Sequence, residues 1–377
     1  MNVDRDSMAR APVDMSEREL CAAIWPNGRA PVKHVRCQHC GRRNRVDAGL
    51  AATAPERQYC GACHSQLFLR HDEPLSGLSP LAYQHSLDRR SIAAIRSIPG
   101  AAEMLRKVLE YAADRTAHLI FMADSIRCEE DQFPELIALV DKARRSLDVP
   151  YRPVVFLGES PYMNAMTTGV QAPLIVVQSA LLDQMTDREM VAILGHELGH
   201  LQTDHPLYQS AARLLLQSAA GASHTVRMLS MPLWRVLLHW SRCAELTADR
   251  AALLASRDLG ACIGMMLTFA GGNRPGTTKR TKIQLAPFIR QCRELVKVQR
   301  SHSFEGLLSS YMSLGRTHPH MAWRVMHLIQ WVEHGRYLNI LSGEYCRHKA
   351  AHTHDVHARD AHARTAALPG YWHEHSE

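Results

Sequence analysis

The sequence predicts an α+β chain, mostly helical, with a small antiparallel sheet ahead of a central helix and a small metal-stapled module near the start. Three observations carry this. Two short runs rich in Val and Ile, "RPVVFLG" and "APLIVVQS", precede a capped amphipathic segment, "TDREMVAILGHELGH". The other long periodic segments have helical spacing. Two CxxC pairs, Cys37/Cys40 and Cys60/Cys63, lie in one short basic stretch.

With 377 residues, 46% of them apolar, the chain has material for a large core and about two domains. The net charge of +7 is unevenly placed. Between Arg29 and Arg70, Arg29, Lys33, Arg36, Arg42, Arg43, Arg45, Arg57 and Arg70 face only Asp47 and Glu56. The start, "MNVDRDSMAR", carries acids and no apolar run, so no signal peptide is expected. No uncharged apolar run of ~18 residues suggests a membrane span. In the nearest candidate, Leu207 to Trp240, Arg213, Arg227 and Arg235 intervene. Six of the ten cysteines (Cys21, Cys128, Cys243, Cys262, Cys292, Cys346) show no framework spacing. They read as reduced thiols, and the chain as cytoplasmic.

Residues 1–30 are expected to be a mobile tail with one amphiphilic patch, "SERELCAAIW". Residues 31–72 form the cysteine module, and "HDEPLSGLSP" links it to a main domain over 78–345. That domain opens with helical patterns in "GAAEMLRKVLEYAADR" and in "PELIALVDKARRSLD", where Pro134 suits a first turn. "RPVVFLG" and "APLIVVQS" read as strands bounded by Pro or Gly, with "ESPYMNAMTTGVQ" as a polar turn between them. Thr186 and Glu189 then fit a capping box. Val191, Leu194, Leu198 and Leu201 supply the apolar stripe of the helix that follows. A second long helix runs from near Trp234 through "SRCAELTADRAALLASRD", and "GGNRPGTTKRTK" is a basic loop. From residue 346 the chain reads as a disordered tail holding His348, His352, His354, His357, His362, His373 and His375, a composition that binds metal adventitiously at most.

The helix "VAILGHELGHLQTDH" carries the chemistry. Residues four apart on a helix share a face, so His196 and His200 point imidazole nitrogens at one cation. Zn²⁺ takes such ligands at ~2.0–2.1 Å and needs a third from the protein, leaving one position open. Glu197 sits about 100° round the helix, placed to take a proton from a water beside the cation and pass it to a leaving amine. The longer pattern H-E-x-x-H-x-x-G-x-x-H is absent, since Thr203 and Pro206 stand where Gly and His belong. His205 would lie roughly 140° from His200 on a continuing helix and miss the metal. Glu245, in "SRCAELTADR", is the better third ligand, and Asp249 one turn later suits the free N–H of a ligand histidine.

The spacing C-x₂-C-x₁₉-C-x₂-C fits a closed four-thiolate zinc site, a zinc ribbon with Cys37, Cys40, Cys60 and Cys63 as ligands. A redox CxxC normally stands alone, so zinc is the stronger reading. So short a module has little core, and metal would supply much of its stability. Its arginines suit an acidic protein partner or nucleic acid, with no aromatic pattern interleaved.

Beyond the single motif, "HELGH" followed by "AELTADR" resembles the HtpX-like zinc metallopeptidases, which include the type I CAAX prenyl proteases and their soluble relatives. "SPYMNAMTTG" resembles that family's N-A-x-x-x-G turn, and "THPHMAWRV" its H-P-x-x-x-x-R element. Together these cover roughly residues 80–345. The resemblance implies a gluzincin site in a zincin-like domain, with His196, His200 and Glu245 on zinc, Glu197 as general base, and His318 and Arg324 facing the cleft to steady an oxyanion. It departs from the membrane members in lacking transmembrane helices, although "MLSMPLWRVLLHW" (228–240) is a candidate for peripheral membrane contact.

The reading is therefore a zinc-dependent endopeptidase acting on protein or peptide substrates, with one catalytic and one structural zinc. The strand "PLIVV" is the expected edge along which substrate adds. Residues 207–228 are a candidate lid. Two alternatives stand: a catalytically silent zinc-dependent adaptor, which would not need Glu197, and a ribbon-led nucleic-acid-associated protein.

Overall fold

The structure is a computed structural model that describes residues 17–25, 27, 29–70, 72–97, 116–170, 172–210, 224–271, 285–300 and 318–348. Three expected features lie outside these residues: the helix over 100–115, the basic loop beyond Gly271, and the tail histidines after His348. Residues 211–223 of the candidate lid do so too.

The first described element is helix α1 (Glu17–Ile24), within the segment expected to be a mobile tail. Leu20, Cys21, Ile24 and Trp25 are buried, because the amphiphilic patch finds an apolar partner in the main body. Strands β1 (Val32–Arg36) and β2 (Arg43–Asp47) pair antiparallel and carry the first cysteine knuckle between them. Helix α2 (Ala48–Thr53) is capped by Asp47, whose carboxylate accepts from the N–H groups of Gly49 and Leu50. Trp25 lies so close over Gly49 that a Cβ there would come 2.5 Å from the indole. The Trp25 Nε1–H in turn donates to Glu333 at 2.9 Å. Val35, Cys37, Val46 and Cys60 belong to the same apolar cluster as the main body, so packing does not break at residue 72.

The main body continues through α3 (Ser86–Arg96), β3 (Ile126–Cys128), α4 (Pro134–Ser146), β4 (Val154–Gly158), β5 (Ala165–Thr168), β6 (Leu174–Gln178) and α5 (Ser179–Gln184). Pro134 occupies the first turn of α4, as its fixed φ favours. The strand order is β3-β4-β6-β5. Both outer pairs are antiparallel, while the central pair β4 and β6 runs parallel. The cause is β5, which occupies the segment expected to be only a turn. Two reversals of direction, into β5 and out again, bring β6 back parallel to β4. "AMTT" carries no Val or Ile and gave no strand signal. Gly169 closes the β5–β6 hairpin at φ +91, where a Cβ would meet the Ala172 carbonyl at 2.4 Å. It follows that "PLIVV" is interior, not an edge as expected; the edge strands are β3 and β5.

Helix α6 (Asp187–Gln202) follows, with the expected capping box: Thr186 Oγ1 accepts from the Glu189 N–H, and the Glu189 carboxylate from the Thr186 N–H at 2.8 Å. It packs against α7 (His224–Ser256), a helix that begins well before Trp234. Within 228–240, Leu237 and Trp240 are buried against Ile92, Ile95, Leu207 and Tyr208. Helices α8 (Leu259–Gly271), α9 (Leu285–Arg300), α10 (Met321–Glu333) and α11 (Arg336–Leu341) complete the core. Among the described residues no helix is long and apolar enough to cross a membrane.

Candidate metal centre

The close approach of α6 and α7 makes the site, and small residues make the approach. A Cβ on Gly195 would come 2.4 Å from the Ala255 Cβ, and one on Gly199 2.5 Å from the Ala251 Cβ. Glycines four apart face alanines four apart, so the two backbones nearly touch. His196 and His200 then meet Glu245 across the seam.

The His196 and His200 Nε2 atoms lie 3.1 Å apart. Each is 3.5 Å from a Glu245 carboxylate oxygen. A tetrahedron of ligands at ~2.0–2.1 Å spaces its donor atoms about 3.3–3.4 Å apart, so the three side chains fit one zinc ion. Glu245 Oε1 is buried with no hydrogen-bond partner, as an oxygen reserved for a cation would be. Burial alone would raise the Glu245 carboxyl; His318, His196 and His200 instead hold it well below the usual carboxylate range.

Each ligand histidine is gripped from behind. His196 Nδ1 lies 3.2 Å from Asp249 Oδ1, the contact anticipated from the one-turn spacing. Asp249 is itself clamped by Arg324, whose Nε and Nη2 donate at 2.9 and 2.5 Å. The second grip was not foreseen. His200 Nδ1 lies 2.8 Å from His205 Nδ1, and His205 Nε2 lies 3.2 Å from Asp88 Oδ2. The continuing-helix argument sent His205 away from the site, but α6 stops at Gln202. Asp204 takes the left-handed φ of +57 and turns His205 back under His200. Asp88 also accepts from Trp240 Nε1 (3.0 Å), Thr247 Oγ1 (2.7 Å) and Gln84 Nε2 (3.1 Å). No spacing rule connects Asp88 to the motif, 112 residues downstream of it at His200.

Glu197 is buried, and its carboxylate accepts from Thr167 Oγ1 at 2.6 Å. Thr167 stands on β5, so the edge strand touches the Glu197 carboxylate directly. The sequence reading passed over it because the strand itself was taken for a turn. His318 lies at the rim, 62% exposed, with Nδ1 3.1 Å from Glu245 Oε2. Arg324 differs from expectation. It is buried and spent on Asp249 and, at 3.4 Å, on Glu245, so it stands behind the ligands instead of facing the cleft.

In the ribbon, Sγ atoms of Cys37 and Cys63 lie 3.7 Å apart, and those of Cys40 and Cys60 3.6 Å. Thiolates at ~2.3 Å from a tetrahedral zinc are spaced about 3.8 Å, whereas a disulfide needs about 2.05 Å. The four sulfurs therefore fit a zinc ion. Backbone N–H groups of Cys63 and Ala62 pull the Cys60 thiol down to about 6, readying a thiolate. Gly61 N–H donates to Asn44 Oδ1 at 3.0 Å and ties the second knuckle to β2.

Residues 130–332 match the model of peptidase family M48, more than half of the chain. The chain belongs to peptidase family M48. It is thus a metalloprotease of the HtpX-like kind, with a zinc-ribbon-like cysteine cluster at its start. Among curated proteins it is 29% identical over 265 residues to the plastoglobule-localized metallopeptidase 48 of Arabidopsis thaliana, covering 69% of this chain and 74% of that one. It is 30% identical over 156 residues to the protease HtpX homolog 1 of Streptomyces coelicolor, covering 33% of this chain and 50% of the relative. The HtpX homolog of Trichormus variabilis is 26% identical over 137 residues, 36% of this chain and 45% of the relative. The chain therefore spans about half the length of these HtpX relatives. No solved structure matches.

Proposed function

We propose that this M48 chain is a zinc-dependent endopeptidase that hydrolyses peptide bonds of protein substrates, with one catalytic and one structural zinc. The observation that carries the reading is the convergence of His196, His200 and Glu245 at ligand spacing beside a buried, oriented Glu197. Zinc, when bound, polarises the scissile carbonyl and acidifies water. Glu197 takes the proton of the attacking water and delivers it to the leaving nitrogen. Thr167 aims the Glu197 carboxylate by donating to Oε2. Asp249 and His205 fix the ring orientations of His196 and His200.

A substrate strand adds along β5, an edge strand of the sheet, where main-chain bonds supply affinity and carry the scissile bond past Glu197. His318, largely exposed beside Glu245, is the residue placed to donate to the developing oxyanion. Arg324 contributes by holding Asp249 and Glu245 in place. The exposed arginines of the ribbon, among them Arg36, Arg42, Arg43 and Arg45, form a docking face for an acidic partner. The absence of disulfides among the ten cysteines supports a reducing, cytoplasmic setting.

The test pairs metal content with cleavage of an unstructured protein such as casein, in wild type and Glu197→Gln. Both proteins are expected to hold two zinc per chain, and only wild type to cleave. Zinc in the ribbon alone, unaffected by His196→Ala, would end the peptidase reading. Two zinc ions without cleavage in wild type would favour the silent adaptor.

A further inference from the structure

Behind the metal centre, α3, α7, α10 and α11 enclose a second cavity of about 480 Å³, lined by His85, Arg250, His327, Gln330, Trp331, His334 and Arg336. None of these lining groups is acidic. Arg250 directly follows Asp249 on α7, and its side chain is buried. Buried guanidinium groups are normally paired with carboxylates, because an unpaired buried charge is costly. Arg250 instead gives one bond to the Tyr83 carbonyl at 3.0 Å and stacks over the Trp331 ring at 5.1 Å. Among the described residues it has no ion pair, and its charged neighbour in the cavity is another cation, Arg336.

A further donor belongs to the cavity lining. His85 Nδ1 accepts the Leu87 N–H at 3.2 Å, which fixes the tautomer and puts the ring proton on Nε2. Burial and the facing charge of Arg250 push His85 down to about 3, so it is a neutral donor at physiological pH. Burial and Arg336 push Arg250 down to about 9, outweighing the opposing charge of Asp88. His334 and Arg336 are exposed and form a cationic mouth. The nearest fixed acids are spoken for: Glu333 by Trp25, and Asp88 by four donors.

We propose that this cavity is a binding site for a small oxyanion, a phosphate- or carboxylate-bearing molecule held by Arg250, Arg336 and His85 Nε2–H beside the Trp331 ring. A guanidinium fork matches either head group with two parallel bonds. The volume leaves room for an organic body beside the Trp331 and His327 rings. The site is separate from the zinc cleft and does not depend on the peptidase reading.

The experiment is titration calorimetry on the full-length, zinc-loaded protein with inorganic phosphate, sodium acetate and sodium chloride at matched ionic strength. Phosphate or acetate is expected to bind one saturable site, and chloride none. Whichever anion binds more tightly names the head group. Arg336→Glu lies at the exposed mouth and should fold normally, as a thermal melt will verify; it is expected to weaken binding at least about tenfold. Arg250→Lys keeps the charge without the fork and is expected to weaken it as well. Arg188→Ala, an exposed arginine outside the cavity, should leave affinity unchanged. No saturable binding by either anion would overturn the proposal. So would binding that survives Arg336→Glu but disappears in His196→Ala, since the anion would then sit on the catalytic zinc.

Discussion

His205 Nδ1 lies 2.8 Å from His200 Nδ1, and this bond ties His205 to the candidate metal centre. With His200 Nε2 committed to the cation, its Nδ1 carries the proton and donates. His205 must then accept at Nδ1 and hold its own proton at Nε2, which Asp88 receives at 3.2 Å. Removing such a partner typically weakens metal binding by about 10–100-fold. His205→Ala and Asp88→Asn should each lower affinity for the catalytic zinc by that amount and leave the ribbon zinc in place. Competition with a chromogenic chelator will show one weakened site of two. Two unchanged affinities would reduce His205 to a packing residue.

Asp88 also gives the fold an acid sensitivity. Burial alone would raise its carboxyl, but His205, Thr247 and Gln84 beside it outweigh that and hold the group at about 2. The folded value is therefore below the unfolded one of ~3.9, so the contribution is present above about pH 4 and lost as pH falls toward 2. The difference corresponds to about 2.5 kcal/mol. Urea unfolding should show wild type exceeding Asp88→Asn near neutrality, with the gap narrowing below pH ~4. A gap independent of pH would contradict the assignment.

Thr167→Val preserves shape but removes the hydroxyl that donates to Glu197 at 2.6 Å. A bond to a charged acceptor contributes about 1.5–3 kcal/mol, so kcat/KM should fall roughly tenfold to a hundredfold. Zinc content should not change, and Thr167→Ser should recover most of the activity. Loss of zinc in the Val variant would mean that the threonine supports the ligands instead.

The α6–α7 seam makes a prediction whose sign is unusual. Gly→Ala within an exposed helix ordinarily stabilises by about 1 kcal/mol. At Gly195 and Gly199 the new methyl would stand 2.4 and 2.5 Å from the Cβ atoms of Ala255 and Ala251. Either substitution should instead destabilise by about 1–3 kcal/mol and push Glu245 away from the histidines. Thermal melts and zinc content of Gly199→Ala check both effects. A raised Tm would show that the helices are not in close contact.

Cys40→Ser leaves three thiolates in the ribbon. Zinc should fall from two per chain to one. The melting temperature should drop with it, because Cys37 and Cys60 share a core with the main body. Retention of two zinc ions would remove the ribbon site.

Short-range patterns account for much of this protein. The 3.6-residue period put His196 and His200 on one face. The Thr186–Glu189 box set where their helix starts, and Pro134 did the same for α4. The two CxxC pairs foretold a four-sulfur cluster. These signals are legible because each acts within a turn or two of chain. Glu245 and Asp249 were reachable too, since an acidic pair on an apolar helix invites explanation. What only the tertiary structure decided depends on contacts between distant segments. The strand β5 is stable because β6 pairs with it, not because "AMTT" prefers extension. Asp88 reaches the site because α3 packs on α7. His205 turns inward because Asp204 adopts a left-handed conformation. Arg324 faces Asp249 because α10 packs on α7, where two buried carboxylates need a cation beside them.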